Sequence, residues 1–310
     1  MLIYGYDNFR FMASNVDPVE VIIRPKPPYS ISLHFRRFSL KGRPVPYFYE
    51  KNTYRRLVRV GGEVVPIEVE IVSEGMEPML KVKVWENKEK TVEVVRHIFN
   101  IDLDLSNIRF NDDFLDMLVN KYLGLRPPKS PTLFEALVKS IINQQINLRL
   151  ALTMTANLVE KYGYREIYGG RMFYDFPTPE KLAEVSVNEL RKCGLSRRKC
   201  EYVISLAKMV CSGFNLEGIK YLKPEEAIEV LDNIRGVGVW TAELAYVMAT
   251  GDLSVGPAGD LAVVKGLSRA LGKRVEEGEV RDFVSKYRDV AGLIMYYLAF
   301  YWEEYSLSGK

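Results

Sequence analysis

The chain has 310 residues, of which 47% are hydrophobic and 27% are charged, and its net charge is only +3. This length and composition indicate a globular protein of about two domains, and they exclude a disordered chain and a protein with a long apolar membrane span. The chain has few glutamines and histidines but many charged residues, and this balance is reported for heat-adapted proteins.

The first part of the chain, residues 1–105, has the pattern of a small antiparallel α+β domain. Apolar and polar residues alternate in three segments and predict strands at 31–36, 64–72 and 80–85. Helical spacing of apolar residues predicts one helix at 91–99. His34 and His97 fall in a strand pattern and the helix pattern, and we interpret both as structural because no third metal ligand accompanies them.

The remainder, residues 106–310, is predicted to be all-helical, which gives the whole chain an α+β fold. Apolar residues recur at helical spacing in eleven segments joined by short loops. The predicted helices cover residues 112–123, 132–145, 148–162, 179–185, 187–193, 199–210, 224–233, 239–249, 260–271, 277–287 and 291–305. The proline-rich residues 127–131 predict a stiff elbow between domains or subdomains.

Two glycines, Gly236 and Gly238, separate the helix predicted to end at 233 from the next one. Glycine permits positive φ and close backbone approach, and the free N–H groups that open the second helix suit a nucleic-acid phosphate. A dinucleotide-binding fingerprint would require a preceding strand, whereas here a helix precedes. An ordinary helix–helix turn remains open at this point.

Asp260 follows the flexible loop 256–259 and opens an apolar helix. As a helix N-cap it would be unremarkable. That position also holds a carboxylate in a fixed place near the glycine turn, as catalysis at a single carboxylate requires.

Taken in order, these motifs resemble the helix-hairpin-helix DNA glycosylase superfamily, specifically its 3-methyladenine DNA glycosylase II, or AlkA-like, branch, and we expect an archaeal or thermophilic source. The resemblance extends over about residues 110–305 and rests on an ordered set of segments. They are 125–128, 134–137, 142–146, 176–180, 190–199 and 234–242, followed by Asp260. It implies a module of two helical subdomains, with the hairpin at about 231–245 and the catalytic loop at 251–260.

The resemblance implies a monofunctional DNA glycosylase that hydrolyses the N-glycosidic bond of alkylated or otherwise damaged purines in base excision repair. Asp260 would stabilise the oxocarbenium character of the sugar and orient water. In glycosylase/lyase members a lysine stands where this chain has Trp240, and no lysine occurs between Lys223 and Lys265. The alternatives are a non-catalytic helix-hairpin-helix DNA-binding protein and an 8-oxoguanine glycosylase; Lys265 is a remote lyase candidate.

Aromatic residues are candidates for the walls of a pocket that receives a flipped base, because an electron-rich ring attracts a cationic alkylated purine. Trp240 is the first of these, and Tyr296 and Tyr297 of the last helix are the others. An ordinary place in the core remains the alternative for all three.

The predicted partner is damaged double-stranded DNA. Between residues 121 and 220 there are 16 Lys and Arg against 9 Asp and Glu, so basic charge is concentrated beside the hairpin. The candidate DNA-binding residues are Gln144, Gln145, Arg197, Arg198, Lys199, Gly236, Gly238, Val239 and Thr241.

The chain's only two glutamines, Gln144 and Gln145, adjoin each other at a helix end. In the resembled family this loop enters the gap that a flipped nucleotide leaves, and we favour Gln145 for this role over Gln144. Ordinary polar surface residues are the alternative for the pair.

No cofactor is expected for catalysis. The resemblance implies one monovalent cation, Na⁺ or K⁺, on the backbone carbonyls of Asp232, Ile234 and Val237 when DNA is bound. Cys193 and Cys200 have the spacing that opens an iron–sulfur motif in some relatives, but Cys211 is the only other cysteine, so we expect no iron–sulfur cluster and three reduced thiols. Residues 1–7 lack the pattern of a secretion signal, which predicts a cytoplasmic protein, and we expect a monomer without membrane contact.

Overall fold

The computed structural model describes residues 17–307. Residues 1–7, for which no secretion signal is expected, lie outside the described residues. The strands are β1 (Val19–Ile23), β2 (Phe48–Glu50), β3 (Thr53–Val60), β4 (Glu63–Ser73), β5 (Met79–Val84), β6 (Arg165–Tyr168) and β7 (Arg171–Tyr174).

The helices within the same residues begin with α1 (Ser32–Arg37), α2 (Lys88–Ile98), α3 (Asp113–Lys121), α4 (Leu133–Asn143), α5 (Leu148–Tyr162), α6 (Pro179–Ala183) and α7 (Val187–Arg191). They continue with α8 (Arg197–Cys211), α9 (Pro224–Asp232), α10 (Val239–Thr250), α11 (Leu261–Leu271), α12 (Glu277–Ser285) and α13 (Ala291–Leu307). Short 3₁₀ helices occupy Glu217–Tyr221 and Arg288–Val290.

An antiparallel sheet of five strands forms the amino-terminal part, in the order β1-β5-β4-β3-β2. Alternating residues of β5 are buried, with Leu80, Val82 and Val84 on the core side. The predicted strands at 64–72 and 80–85 are confirmed as β4 and β5, and the helix predicted at 91–99 is confirmed as α2. The sequence patterns did not identify β1, β2 or β3.

The strand predicted at 31–36 is wrong, because this segment forms α1. Ile31 and Phe35 are both fully buried and stand four residues apart, a separation that places them on one face of a helix. Six residues of alternation are too few to distinguish this pattern from a strand. His34 therefore lies on a helix, while His97 lies on α2 as predicted.

All eleven helices predicted after residue 106 are present, with ends that differ by a few residues. Many begin at a polar N-cap whose side chain accepts a backbone N–H of the first turn. Such caps are Thr132 for α4, Asn147 for α5, Thr178 for α6, Ser186 for α7 and Ser196 for α8. The predicted α+β fold, a sheet followed by a helical module, is confirmed.

The helical part also contains a two-stranded hairpin, β6 and β7, which the sequence patterns did not predict. Its turn is Gly169-Gly170, and both glycines have positive φ. Tyr168 and Phe173 of the hairpin pack on Leu57 of β3. The hairpin thus attaches the helical module to the sheet.

A buried group of charges also joins the two parts. The guanidinium of Arg56 on β3 contacts the Glu135 carboxylate of α4 at 3.0 Å and the Asp175 carboxylate at 3.3 Å. Asp175 is also paired with Arg59, at 3.0 Å. Because α4 is anchored at Glu135 in its first turn, the position of its other end, beside Gln144, is determined by the sheet.

Within residues 17–307, no helix combines the length and apolar character needed to cross a bilayer.

Candidate active site and nucleic-acid interface

The glycine turn lies between α9 and α10. Pro224 opens α9, and after its last residue the chain makes two tight turns, in which Ile234 N–H donates to Leu231 O and Val237 N–H donates to Ile234 O. Gly238 is the N-cap of α10 and has no side chain to cap the helix. The first N–H groups of α10 therefore lack a side-chain acceptor, and Val239 beside them is exposed.

Gly236 is held at φ +88 against the ring of Tyr202 on α8. A Cβ at this position would lie 2.1 Å from a ring atom of Tyr202, so only glycine fits. A Cβ at Gly238 would meet nothing within 4 Å. Gly236 thus determines the packing of the turn, whereas Gly238 leaves the outer surface open.

The two glutamines have different environments. Gln144 donates from Nε2 to Gly236 O at 2.8 Å and to Thr241 Oγ1 at 3.0 Å, so its amide is used inside the protein. Lys199 Nζ donates to the carbonyls of Ile142 and Gln144 at 2.8 and 2.7 Å, and burial lowers its pKa.

Gln145 is exposed at the apex of the loop between α4 and α5 and has φ +54. The positive φ is uncommon for a residue with a side chain and is maintained here by the fixed backbone on either side. Of the two glutamines, Gln145 projects outward, while Gln144 and Lys199 hold the loop on the hairpin.

Asp260 is the N-cap of α11, as its sequence position indicates. Its Oδ1 accepts from Ala262 N–H at 2.9 Å and its Oδ2 accepts from Trp240 Nε1 at 3.3 Å. Each oxygen keeps a lone pair, and the helix N-terminus favours negative charge at this position. The carboxylate is thus held in one orientation by groups from α10 and α11.

Asp260 and Trp240 line one large cavity of about 1300 Å³, above the range of about 300–1,000 Å³ that is usual for small-molecule sites. Gln144 and Gln145 line it as well, as do Arg198 and Lys199. The cavity therefore unites the glycine turn, the glutamine loop and the carboxylate.

The two predicted tyrosines of α13 are placed differently. Tyr296 lines the cavity, and its hydroxyl lies 2.8 Å from His34 Nδ1. Tyr297 is buried in the helical core and its hydroxyl donates to Leu125 O at 2.9 Å, which favours a structural role. Trp302, two turns after Tyr296, also lines the cavity, with Lys265 Nζ 5.1 Å from its ring centre.

The predicted basic residues begin α8. Arg197 is largely exposed and pairs with Glu201 at 3.0 Å, and Arg198 is exposed at the cavity. Arg235, which the sequence motifs did not single out, is 70% exposed in the turn itself. Its position immediately before Gly236 is the sequence feature that could have identified it. Thr241, by contrast, is buried with its hydroxyl bound to Gln144.

Three residues line the cavity that the sequence patterns did not identify as site residues. Lys139 of α4 and His34 of α1 line the cavity, and Leu261, next to Asp260, is 65% exposed at it. For Leu261, the local sequence signal was an apolar residue directly after the N-cap aspartate. Lys139 and His34 meet only through tertiary packing.

Among the described residues, no cluster of three or more His, Cys, Asp or Glu could hold a metal ion. Cys193 and Cys200 are buried free thiols, and Cys211 is an exposed one. The carbonyls of Asp232, Ile234 and Val237 lie at the end of α9 and in the turn after it.

Comparisons with known proteins agree with this geometry. Residues 138–283 match the model of the HhH-GPD superfamily base excision DNA repair protein. The solved 3-methyladenine DNA glycosylase from Archaeoglobus fulgidus is 32% identical, with a TM-score of 0.81, covering 91% of this chain and 98% of that one.

Two further relatives are from yeasts. The DNA-3-methyladenine glycosylase of Saccharomyces cerevisiae is 30% identical over 231 residues, which cover 73% of this chain and 75% of the yeast protein. The solved 3-methyladenine DNA glycosylase of Schizosaccharomyces pombe in complex with abasic DNA is 26% identical, with a TM-score of 0.52, and the match covers 67% of this chain and 95% of that one.

Proposed function

Because the chain belongs to the HhH-GPD superfamily of base excision DNA repair proteins, we propose that it is a monofunctional DNA glycosylase that hydrolyses the N-glycosidic bond of alkylated or otherwise damaged purines in double-stranded DNA. The observation that carries this proposal is the Asp260 carboxylate, fixed by Trp240 and Ala262 at a cavity large enough for a flipped base.

The reaction follows from the charge of that carboxylate. As the bond between C1′ and the base nitrogen lengthens, its electron pair moves to the base and positive charge develops on the sugar. Asp260 stabilises this charge and accepts the hydrogen bond of a water molecule, whose oxygen bonds to C1′. The water gives up one proton. A neutral base takes up this proton as it leaves, whereas a cationic alkylated base leaves as a neutral molecule and the proton passes to solvent.

Hydrolysis is preferred to lyase chemistry because α10 offers an indole where a lyase would need an amine. Trp240 directs its N–H to Asp260, which leaves the ring as a wall for the base. A tryptophan cannot form a Schiff base with the sugar. The product is therefore an abasic site in an intact strand.

DNA is held by backbone and by basic side chains. The uncapped first turn of α10, behind Gly238, is a seat for a phosphate oxygen. Arg197, Arg198 and Arg235 present exposed guanidinium groups, and Arg197 and Arg235 both pair with Glu201. Gln145, exposed at the tip of its loop, fills the gap that the flipped nucleotide leaves.

A monovalent cation completes the interface in this proposal. Asp232 is the last residue of α9, so its carbonyl is one of the terminal helix carbonyls that have no backbone N–H partner in the helix. The carbonyl of Ile234 accepts from Val237 N–H and keeps a second lone pair. Carbonyl oxygens are suitable ligands for a hard cation. Bound there, Na⁺ or K⁺ would contribute a positive charge near a phosphate.

We further propose that the protein acts as a monomer in the cytoplasm.

A panel of duplexes, each with one damaged purine, tests the proposal under single-turnover conditions, with alkali added after the reaction to reveal abasic sites. Release of at least one damaged base by the wild-type protein, and none by Asp260→Asn, is expected. If the protein binds these duplexes and releases no base from any of them, the proposal is wrong and a non-catalytic DNA-binding role takes its place.

A further inference from the structure

Lys139 is a charged residue inside the proposed base cavity. It lies on α4 and lines the same cavity as Asp260. Although it is surrounded by protein, 19% of its side-chain surface is exposed, while that of its neighbour Glu135 is only 3% exposed. The free part of the Lys139 side chain therefore opens into the cavity.

The carboxylate next to Lys139 is already neutralised by another cation. Lys139 Nζ lies 3.5 Å from Glu135 Oε1, whereas Arg56 donates to both oxygens of Glu135, at 3.3 and 3.0 Å. An ammonium group has three N–H donors, and one long contact uses at most one of them. Burial lowers the pKa of Lys139 and the Glu135 carboxylate opposes that shift, and the side chain keeps N–H donors for a molecule in the cavity.

Glu135 lines the cavity beside Lys139 with both of its oxygens bound by Arg56, and the His34 side of the cavity adds no carboxylate. Burial holds the pKa of His34 well below 6.5, and the nearby charges of Lys139 and Arg37 lower it further. It is neutral, and its Nδ1 meets the Tyr296 hydroxyl. Phe38 stacks on its ring at 4.3 Å and makes that wall apolar. A base that reaches this region meets an ammonium donor in apolar surroundings.

We propose that Lys139 is a specificity-determining residue, which donates a hydrogen bond to a carbonyl oxygen of the flipped base and selects neutral oxopurines over cationic alkylated purines. This rests on the proposed glycosylase function and narrows its substrate class. A buried ammonium that finds no acceptor loses its hydration without replacement, and a cationic base is repelled by the like charge. Stacking on Trp240 favours a cationic purine, so any selection against that charge has to come from Lys139.

Two substrates that differ by one carbonyl test this role. Hypoxanthine carries a carbonyl oxygen at C6, and unsubstituted purine is the same neutral base without it. We expect Lys139→Met to lower the single-turnover rate on hypoxanthine by at least about tenfold and that on purine by less than threefold. Lys139→Gln, which keeps an N–H donor, should recover part of the loss.

Two comparisons complete the experiment. Lys121→Met removes a lysine that pairs with Glu304 away from the cavity and should leave both rates unchanged. On cationic 3-methyladenine, which has no carbonyl oxygen, Lys139→Met should be as fast as the wild type or faster. Thermal unfolding of each variant verifies that it folds.

The outcomes separate the two proposals. Equal losses on hypoxanthine and purine, or a wild-type protein that releases only 3-methyladenine, would overturn the role of Lys139 and leave the glycosylase function in place. Release of no damaged base from any duplex would overturn the glycosylase function itself.

Discussion

The indole nitrogen of Trp240 lies 3.3 Å from Oδ2 of Asp260, and it joins two residues that are 20 positions apart in the chain. The contact connects the first turn of α10 to the start of α11. Since the other oxygen of Asp260 is bound by Ala262 N–H, the carboxylate has one orientation relative to the cavity. Preorganisation of this kind allows a charge to stabilise a transition state without first reorienting.

Asp260→Asn is expected to lower base release by at least about 100-fold, because it removes the charge that stabilises the sugar cation. The amide retains the shape of the side chain, so affinity for lesion DNA should stay within a few-fold or become tighter. Single-turnover cleavage and fluorescence anisotropy measure the two quantities. A variant that retains most of its activity would exclude Asp260 from the catalytic role.

The abasic product is expected to remain an unbroken strand until alkali is added, and borohydride should trap no covalent protein–DNA complex. The reason is that Trp240 occupies the place of a lyase amine. Gel analysis with and without alkali measures strand breakage. If trapping occurs, the lysines that line or border the cavity are the candidates, and Lys139→Met and Lys265→Met would identify the amine.

Gln145→Ala is expected to slow turnover of a lesion in a fully paired duplex by about tenfold, because flipping then lacks the side chain that fills the gap. The loss should be much smaller for a lesion opposite a mismatch or an abasic site, where extrusion is already easy. Equal losses on both substrates would argue for an ordinary surface residue.

Gln144→Ala is the matched control for this experiment. Its amide holds Gly236 and Thr241 rather than facing outward. The variant should therefore lower thermal stability and slow turnover on both duplexes, since it loosens the loop and the hairpin together. An unchanged melting temperature would contradict the bracing role of Gln144.

Gly236→Ala is expected to destabilise the protein by about 2 kcal/mol or more, whereas Gly238→Ala should change stability by less than about 1 kcal/mol. The first variant combines a positive φ with a clash on the Tyr202 ring, and the second has open space around its Cβ. Urea denaturation measures both. Gly238→Ala should nevertheless weaken DNA binding, because its methyl group lies where a phosphate approaches. Equal stability of the two variants would contradict the packing described for Gly236.

His97 is expected to make stability fall on acidification. Burial lowers its pKa from 6.5 to about 4, and its Nε2 lies 3.1 Å from Ser130 O. Between these pH values the unfolded chain binds a proton and the folded chain does not, so stability is complete above pH 6.5 and is lost as pH falls toward 4.

The size of this effect can be isolated with His97→Gln, which keeps an N–H donor for Ser130 O. Urea denaturation at pH 7.5 and 4.5 should show that the stability advantage of the wild type shrinks by roughly 1–2 kcal/mol at the lower pH, allowing for partial solvent exposure. An advantage that is the same at both pH values would contradict the shifted pKa.

The sequence was sufficient for the fold class, the family and, within the described residues, the position of every α-helix after residue 106. Most of those helices are long and periodic, and the five-residue α6 and α7, like α4 and α8, are marked by polar caps, which are local features. It failed at α1, where six alternating residues fit two structures, and at the four-residue strands of the β6–β7 hairpin. Short segments take their structure from packing partners, which periodicity does not report.

The site was predictable to the level of motifs and not to the level of side chains. Asp260 stands at a helix start, as its loop indicates. That Gln144 turns inward and Gln145 outward depends on contacts with residues 92 and 97 positions away from Gln144. That Lys139 faces a cavity depends on α1, α4 and α13 meeting there. Such facts arise only when distant parts of the chain are assembled.

The buried group of Arg56, Glu135 and Asp175 means that the composition boundary near residue 105 does not mark two separable folding units. A fragment starting at that point would leave Glu135 and Asp175 inside the helical module without their buried guanidinium, and breaking a buried ion pair in this way costs about 3–5 kcal/mol. Since α4 runs from that group to the exposed loop, the five-stranded sheet fixes the position of the loop that carries Gln145, the residue proposed to enter the opened duplex.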